Sequence, residues 1–252
     1  MIRVFTAFSG YDSQCLALNT ISVDYELVGW SEIDKFAIQA HNALFPQWAD
    51  RNYGDISKID WSVVPDFDLF TYSSPCQDFS QAGKQMGAVK GSGTRSSLLW
   101  ECERAIEAKR PKYLLFENVA AVASKKFVRL FNEWQLTLER FGYTNFTAVL
   151  NAKTHGYPTP VPQNRERIFM VSILDCEQPF FFPDAQPQAN AARVLSADGR
   201  SERDIDTLLN AGISNSQLYK LAGNSIVVNC LTAIFRQLFI GNFNKHQQTE
   251  LF

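Results

Sequence analysis

The chain has 252 residues, 46% of them apolar and 20% charged, with a formal charge of −2. That composition excludes a disordered or low-complexity chain, and the length suits one full α/β domain with a small appendage. No apolar run reaches the roughly 20 residues of a membrane helix, and Met1 to Phe5 lead into a strand-like pattern instead of a signal peptide, so a soluble, cytoplasmic protein is expected.

Residues Ile2 to Phe8 alternate and are rich in β-formers, Ser9-Gly10-Tyr11-Asp12-Ser13 breaks the pattern, and Gln14 to Asn19 reads as helix. Strand, polar glycine turn and helix in that order aim backbone N–H groups at an anionic ligand, although one glycine is a weak signal. The strand Tyr25 to Trp30 then ends in Ser31-Glu32-Ile33-Asp34, before a helix from Lys35 to Leu44. A carboxylate at the end of the second strand commonly holds a ribose diol. Asp34 is equally readable as a helix N-cap, an account that fits Glu32 less well. A third unit at Asn52-Tyr53-Gly54-Asp55-Ile56 again places an acid after a turn.

Phe67 to Tyr72 is read as the fourth strand, and it carries Ser73-Ser74-Pro75-Cys76-Gln77 on its end. The C-terminal edge of an open α/β sheet is where such folds place their chemistry, and a thiolate acts as a nucleophile only with access and a lowered pKa. A loop cysteine without a role is the plain alternative for this stretch alone. From Gln77 to Ser97 runs a polar loop with Gly83, Gly87, Gly91 and Gly93, of the length that functional lids have. A helix from Leu98 to Lys109, a strand from Lys112 to Phe116 ending in Glu117-Asn118-Val119, and a helix from Phe127 to Phe141 follow. Strands at Thr144 to Leu150 and Arg167 to Ile173 flank Gln163-Asn164-Arg165-Glu166-Arg167. The pattern dissolves from Leu174 to Asn215, and order returns at Tyr219 to Ser225 and in a helix from Ile226 to Phe239. This alternation predicts an α/β fold with a doubly wound, mainly parallel sheet.

The five cysteines and three histidines are dispersed, without a C-x-x-C pair, so neither a disulfide framework nor a metal site is expected. Near-neutral charge leaves the partner open. Lys84, Lys90 and Arg95, Lys109-Arg110, and Lys125-Lys126 with Arg129 offer a local basic face, though each cluster alone reads first as solvated surface.

Phe8-Ser9-Gly10, Pro75-Cys76-Gln77, Glu117-Asn118-Val119, Gln163 to Arg167 and Gly223-Asn224-Ser225, in this order, resemble the motifs of the DNA (cytosine-5) methyltransferases. The resemblance covers most of the chain and implies a Rossmann-like, S-adenosylmethionine-dependent methyltransferase fold in a bacterial or phage-encoded enzyme. It makes Cys76 the nucleophile that adds to C6 of cytosine, which the chemistry needs because C5 takes a methyl group only once the adduct has made it enamine-like. Glu117 would bond the N3 edge of the ring with a proton between them, and Arg165 and Arg167 would orient this glutamate and the cytosine carbonyl.

For the donor, the resemblance implies Glu32 at the ribose, Ile33 and Ile56 on the adenine faces, and Asp55 at the adenine amino group. Phe8, Ser9, Gly10, Pro75 and Leu98 would line the pocket, with Asn224 and Ser225 at the amino-acid end and S-adenosylhomocysteine as product. The target base must leave the duplex. Gln77, Ser80, Lys84 and Arg95 would fill the vacated space or grip phosphates.

The sequence departs from the family pattern in three places. Thr6 stands where an aspartate is usual, and Asp12-Ser13 where paired glycines are. An extra carboxylate beside the donor would weaken binding unless Asp12 or Ser13 turns away to cap the next helix. Thr159-Pro160-Val161 looks like an insertion that remodels the pocket rim. The division expected is residues 1–173 for catalysis, 174–215 for a reduced target-recognition region and 216–252 for a returning helix, with Arg193, Arg200 and Arg203 as phosphate ligands. So short a region implies a small target, a separate recognition partner or self-association, or another substrate. Methylation of double-stranded DNA is the favoured reading; an RNA cytosine-5 methyltransferase and an inactive nucleic-acid-binding relative are the alternatives.

Overall fold

The computed structural model describes residues 1–73, 98–125, 127–187 and 198–241. Pro75, Cys76, Gln77, Ser80, Lys84, Arg95 and Arg193 lie outside the described residues.

Six strands form one sheet in the order β2-β1-β3-β4-β6-β5. They are β1 (Ile2–Ala7), β2 (Tyr25–Ser31), β3 (Leu69–Tyr72), β4 (Tyr113–Val119), β5 (Tyr143–Asn151) and β6 (Glu166–Leu174). β1 pairs in parallel with β2 and β3, and β3 with β4, whereas β6 lies antiparallel between β4 and β5. The sheet is therefore mainly parallel, as expected. The third unit of the sequence reading is not a strand: Asn52 makes a single bridge to Trp30, and the chain goes on in short 3-10 turns.

The central strands read as unbroken apolar runs because helices cover both faces. Val4, Leu69, Leu115 and Phe169 join one core cluster with α1 (Ser13–Thr20), α2 (Lys35–Leu44) and α7 (Val228–Phe239). Their neighbours Phe5, Phe70, Phe116 and Met170 face the other way, toward α3 (Leu99–Lys109) and α4 (Val128–Arg140). This period-two division is the doubly wound, Rossmann-like architecture. α4 shows the one-sided spacing that fits such a layer, burying Phe131, Trp134 and Leu138. Beneath the bulge between Val4 and Phe5, Gly29 is forced: a Cβ there would sit 2.7 Å from the Phe5 ring and 2.8 Å from that of Tyr53.

The stretch expected to be irregular up to Asn215 contains α5 (Glu202–Asn210), followed by α6 (Asn215–Asn224). Leu208, Ile213, Leu218 and Leu221 belong to the same core cluster as α2, and the Gln39 amide donates to Ala211 O at 2.7 Å. Asn215 to Phe239 is, by length and composition, apolar enough to cross a membrane, unlike what the sequence reading found. Here it is two helices parted at Ser225 to Val227, with Leu231, Ile234 and Phe235 fully buried.

Candidate active site

The C-terminal ends of β1 to β4 converge on one edge of the sheet, where open α/β sheets bind ligands. β6 runs the other way, so its beginning reaches the same edge, and Arg167 lies in register with Val119. A cavity of about 630 Å³ opens there, with walls from the β1 and β2 turns, the end of β4, Arg165 and Arg167, and α6.

The turn after β1 is left-handed at every second residue: Phe8 has φ 55°, Gly10 58° and Asp12 68°. For a phenylalanine this conformation costs about 1–3 kcal/mol, and such strain collects at functional sites. It aims the Gly10 N–H at Glu32 Oε2, 2.9 Å away, while Glu32 Oε1 accepts from Ile33 N at 2.7 Å and Asp34 N at 2.8 Å. The carboxylate thus locks the first turn to the second, and Oε2 keeps capacity to accept a hydroxyl at the cavity wall. Ile33 stands 73% exposed on the rim, an apolar face open to a planar ring.

Asp34 is the N-cap of α2, accepting from Phe36 N and Ala37 N at 2.9 and 3.1 Å, and it faces Lys220 at 3.4 Å. Desolvation raises its pKa, but the Ala37 and Phe36 N–H groups and the Lys220 ammonium outweigh that and hold it low. Asp55 caps a 3-10 turn through Ser57, whose hydroxyl and N–H lower its pKa, and Ile56 is buried beside it. Phe8, Ser9, Gly10, Glu32, Ile33, Asp55, Ile56, Leu98, Asn224 and Ser225 all line this one cavity.

Asp12 leaves the cavity, though not to cap α1. Fully buried, its Oδ2 accepts from the Thr6 hydroxyl at 2.8 Å and lies 3.5 Å from His41 Nε2, whose ring stacks on Trp30 at 3.7 Å. Thr6 and Asp12, both departures from the family pattern, are partners, and Asp12 stands clear of the lining residues. Ser13, fully buried as well, stays on the lining with its hydroxyl on Gln14.

At the other end, Glu117 is 5% exposed. Its Oε2 accepts from the Ser73 hydroxyl at 2.6 Å, and its Oε1 lies 3.1 Å from Arg167 Nε. β3 pairs with β4 through Tyr72 and Phe116, so Ser73 meets Glu117, and Cys76 follows Ser73 by three residues in the sequence. Arg167, in β6, and Arg165, immediately ahead of that strand, both line the cavity. They divide the work: Arg165 donates to Ala222 O at 3.0 Å and Gly223 O at 2.8 Å, holding the last turn of α6.

Ser73, Gln217 and Lys220 are lining residues that the sequence reading did not single out. The helical spacing of Gln217, Lys220 and Asn224 was the available signal. Arg200 is not a phosphate ligand: it is 5% exposed and paired with Asp198. Lys109 and Arg110 precede β4 at the opposite edge of the sheet, where Lys109 pairs with Asp66 and Arg110 with Phe141 O. The insertion seats on α7, with the Asn229 amide donating to Thr159 O at 2.7 Å and Val161 in the core, and takes no part in the lining.

The fold, with its acid-lined cavity at the strand ends, is the Rossmann-like fold of S-adenosylmethionine-dependent methyltransferases. The sequence matches the family of C-5 cytosine-specific DNA methylases over residues 2–203, and the chain belongs to that family, whose reaction is methyl transfer to C5 of cytosine. The Type II methyltransferase M2.ScrFI of Lactococcus lactis subsp. cremoris is 39% identical, over 81% of this chain and 69% of that protein. The orphan methyltransferase M.SssI of Spiroplasma monobiae is 45% identical over 54% of this chain, but over 35% of its own length. In architecture the chain is similar to S. pombe Dnmt2 methyltransferase, with TM-score 0.67 and 16% identity over 94% of this chain and 98% of that one. It is also similar to the Entamoeba histolytica methyltransferase EhMeth, with TM-score 0.58 and 17% identity over 76% of this chain and 58% of that one.

Proposed function

We propose that this chain methylates C5 of a flipped-out cytosine in double-stranded DNA through a covalent bond between Cys76 Sγ and C6. The observation that carries the reading is the buried Glu117, held between Arg167 and Ser73 in the wall of a cavity whose other end is lined by Gly10, Glu32 and Asp55. One cavity thereby offers a base-reading carboxyl group and a donor pocket.

Cys76 attacks C6, and Glu117 shares a proton with N3, so that the charge made by the attack is neutralised. Arg167 fixes the Glu117 carboxyl from one side and Ser73 from the other, which holds its rotamer before the base arrives. Arg165 braces the wall of α6 and faces the cytosine carbonyl. S-adenosylmethionine, when bound, supplies an electrophilic methyl group. The residues present fit it: Glu32 has capacity left for ribose hydroxyls, Ile33 and Ile56 offer apolar faces, and Asp55 accepts from the adenine amino group. Phe8, Ser9, Pro75 and Leu98 shape the pocket, and Asn224 and Ser225 take the amino-acid end.

Gln77, Ser80, Lys84 and Arg95 grip the DNA. Residues 1–173 carry catalysis, 174–215 a reduced recognition region, and 216–252 the return to the sheet. Because α5 packs on α2 and α6 joins the same core cluster, little of the described part of the recognition region is left for reading bases, and we assign a short target, with a second recognition subunit or self-association supplying any longer one. A cytoplasmic location fits this substrate.

Mass spectrometry of the protein after incubation with donor and 5-fluorocytosine DNA tests the reading. A stable adduct that disappears in Cys76→Ala is expected. No adduct, or one undiminished in Cys76→Ala, refutes the mechanism, and an adduct formed with 5-fluorocytosine RNA alone moves the substrate to RNA.

A further inference from the structure

We infer that Tyr11, Asp198 and Arg200 are positioning residues that turn Ser225 into a hydrogen-bond acceptor for the ammonium group at the amino-acid end of the methyl donor; the inference rests on the cofactor reading above. These three side chains form a buried cluster behind the cavity wall and have no place in the transfer chemistry. Asp198 and Arg200 pair at 2.7 Å between Oδ2 and Nε with 0% and 4% of their side chains exposed, and the guanidinium lies 4.9 Å over the Tyr11 ring. Tyr11 OH donates to Asp198 Oδ2 at 2.9 Å, and Ser225 Oγ donates to Tyr11 OH at 3.0 Å.

An ion pair this deep is weak evidence for stability, since apolar side chains of the same volume often serve as well. Its consequence here is directional. An ionised carboxylate only accepts hydrogen bonds, so Tyr11 must spend its single proton on Asp198. Burial first, and the Asp198 anion next, keep that proton on the phenol. The phenol oxygen is then the acceptor for Ser225, whose own proton is drawn away from the cavity it lines. What Ser225 presents to a ligand is lone-pair density.

The amino-acid end of the donor carries an ammonium and a carboxylate, and a serine ordered in this way accepts from the first and cannot donate to the second. The last turn of α6, which Ser225 terminates, favours positive charge, as the seating of Arg165 on its carbonyls shows. The hydrogen bonds of Tyr11 and Asp198 also pin the β1 turn to the start of α7, because Tyr11 follows Gly10 and Asp198 O accepts from Val228 N at 2.9 Å.

Calorimetric binding of S-adenosylhomocysteine and of its analogue with hydrogen in place of the α-amino group tests this in the wild type, Tyr11→Phe and Ser225→Ala. Wild type should prefer the amino ligand by about tenfold or more, the scale of one hydrogen bond to a charged group. Tyr11→Phe keeps the ring under Arg200 but leaves the Ser225 proton only its longer contact to Ala222 O at 3.4 Å, and should lose much of that preference while binding the desamino ligand within about twofold of wild type. Ser225→Ala leaves the buried pair untouched and should lose the preference as well, which keeps the test decisive if Tyr11→Phe folds poorly. Equal losses for both ligands mean a structural role and overturn the inference, as does an unchanged preference in both variants. Failure of wild type to bind either ligand overturns the cofactor reading itself.

Discussion

Replacing Arg165 by methionine separates two arginines that resemble one another in sequence. Arg165 makes two charge-assisted hydrogen bonds to the carbonyls that close α6, and its charge meets the negative end of that helix. Taking the low end of the range for charged hydrogen bonds, about 1.5 kcal/mol each, and crediting only part of the more exposed one, the loss comes to about 2–3 kcal/mol. For a domain of this size each kcal/mol moves Tm by about 2–4 °C, so calorimetric unfolding of Arg165→Met should fall by roughly 4–12 °C. Loosening the last turn of α6 also shifts Asn224 and Ser225, and affinity for S-adenosylhomocysteine should drop with it. Arg167→Met, which removes a guanidinium from the Glu117 end, should instead depress adduct formation with 5-fluorocytosine DNA while donor affinity stays near wild type. An Arg165→Met protein with unchanged Tm and unchanged affinity for S-adenosylhomocysteine would refute the assignment of Arg165 to the α6 wall.

Asp34→Ala removes the cap of α2 and should cost about 0.5–1 kcal/mol near neutral pH, the low end for a half-exposed cap. Because the folded state lowers the pKa of Asp34, its contribution is complete above the unfolded value of about 3.9 and fades as pH falls through the lower folded value, so urea midpoints of wild type and variant should converge below about pH 4. Gly199→Ala should destabilise by at least about 2 kcal/mol, since φ is +84° and the new Cβ would lie 2.2 Å from Asn229 Oδ1. A chemical denaturation curve that superposes on wild type would rule out this packing against α7.

Much of the sheet was legible because both faces of its central strands are buried, which leaves apolar runs such as Leu114-Leu115-Phe116 bounded by polar turns. α2 was read to its limits, since Asp34 caps it and Pro46 follows its end. The antiparallel course of β6 was not read, although no helix separates it from β5 and parallel neighbours need a long crossover. α5 escaped notice because it is short and buries only Leu208, yet Ser201 and Asp204 form a capping box that announces a helix start. At the site, the acids Glu32 and Asp55 were legible from their places after strands and turns. The fate of Arg200 was not, because burial depends on Tyr11 and Asp198, which lie 187 positions apart and have no local signature linking them. The Thr6 and Asp12 exchange was visible as two departures but not as a pair.

α6 forms the wall that faces the β1 and β2 turns, and this has a consequence for synthesis. A ribosome that has delivered every residue up to the end of β6 has made Gly10, Glu32, Glu117, Arg165 and Arg167, yet the cavity still has an open side. It closes when α6 and Ser225 emerge and Tyr11 finds Asp198, so a nascent chain completes the walls of this cavity only once residue 225 has been made.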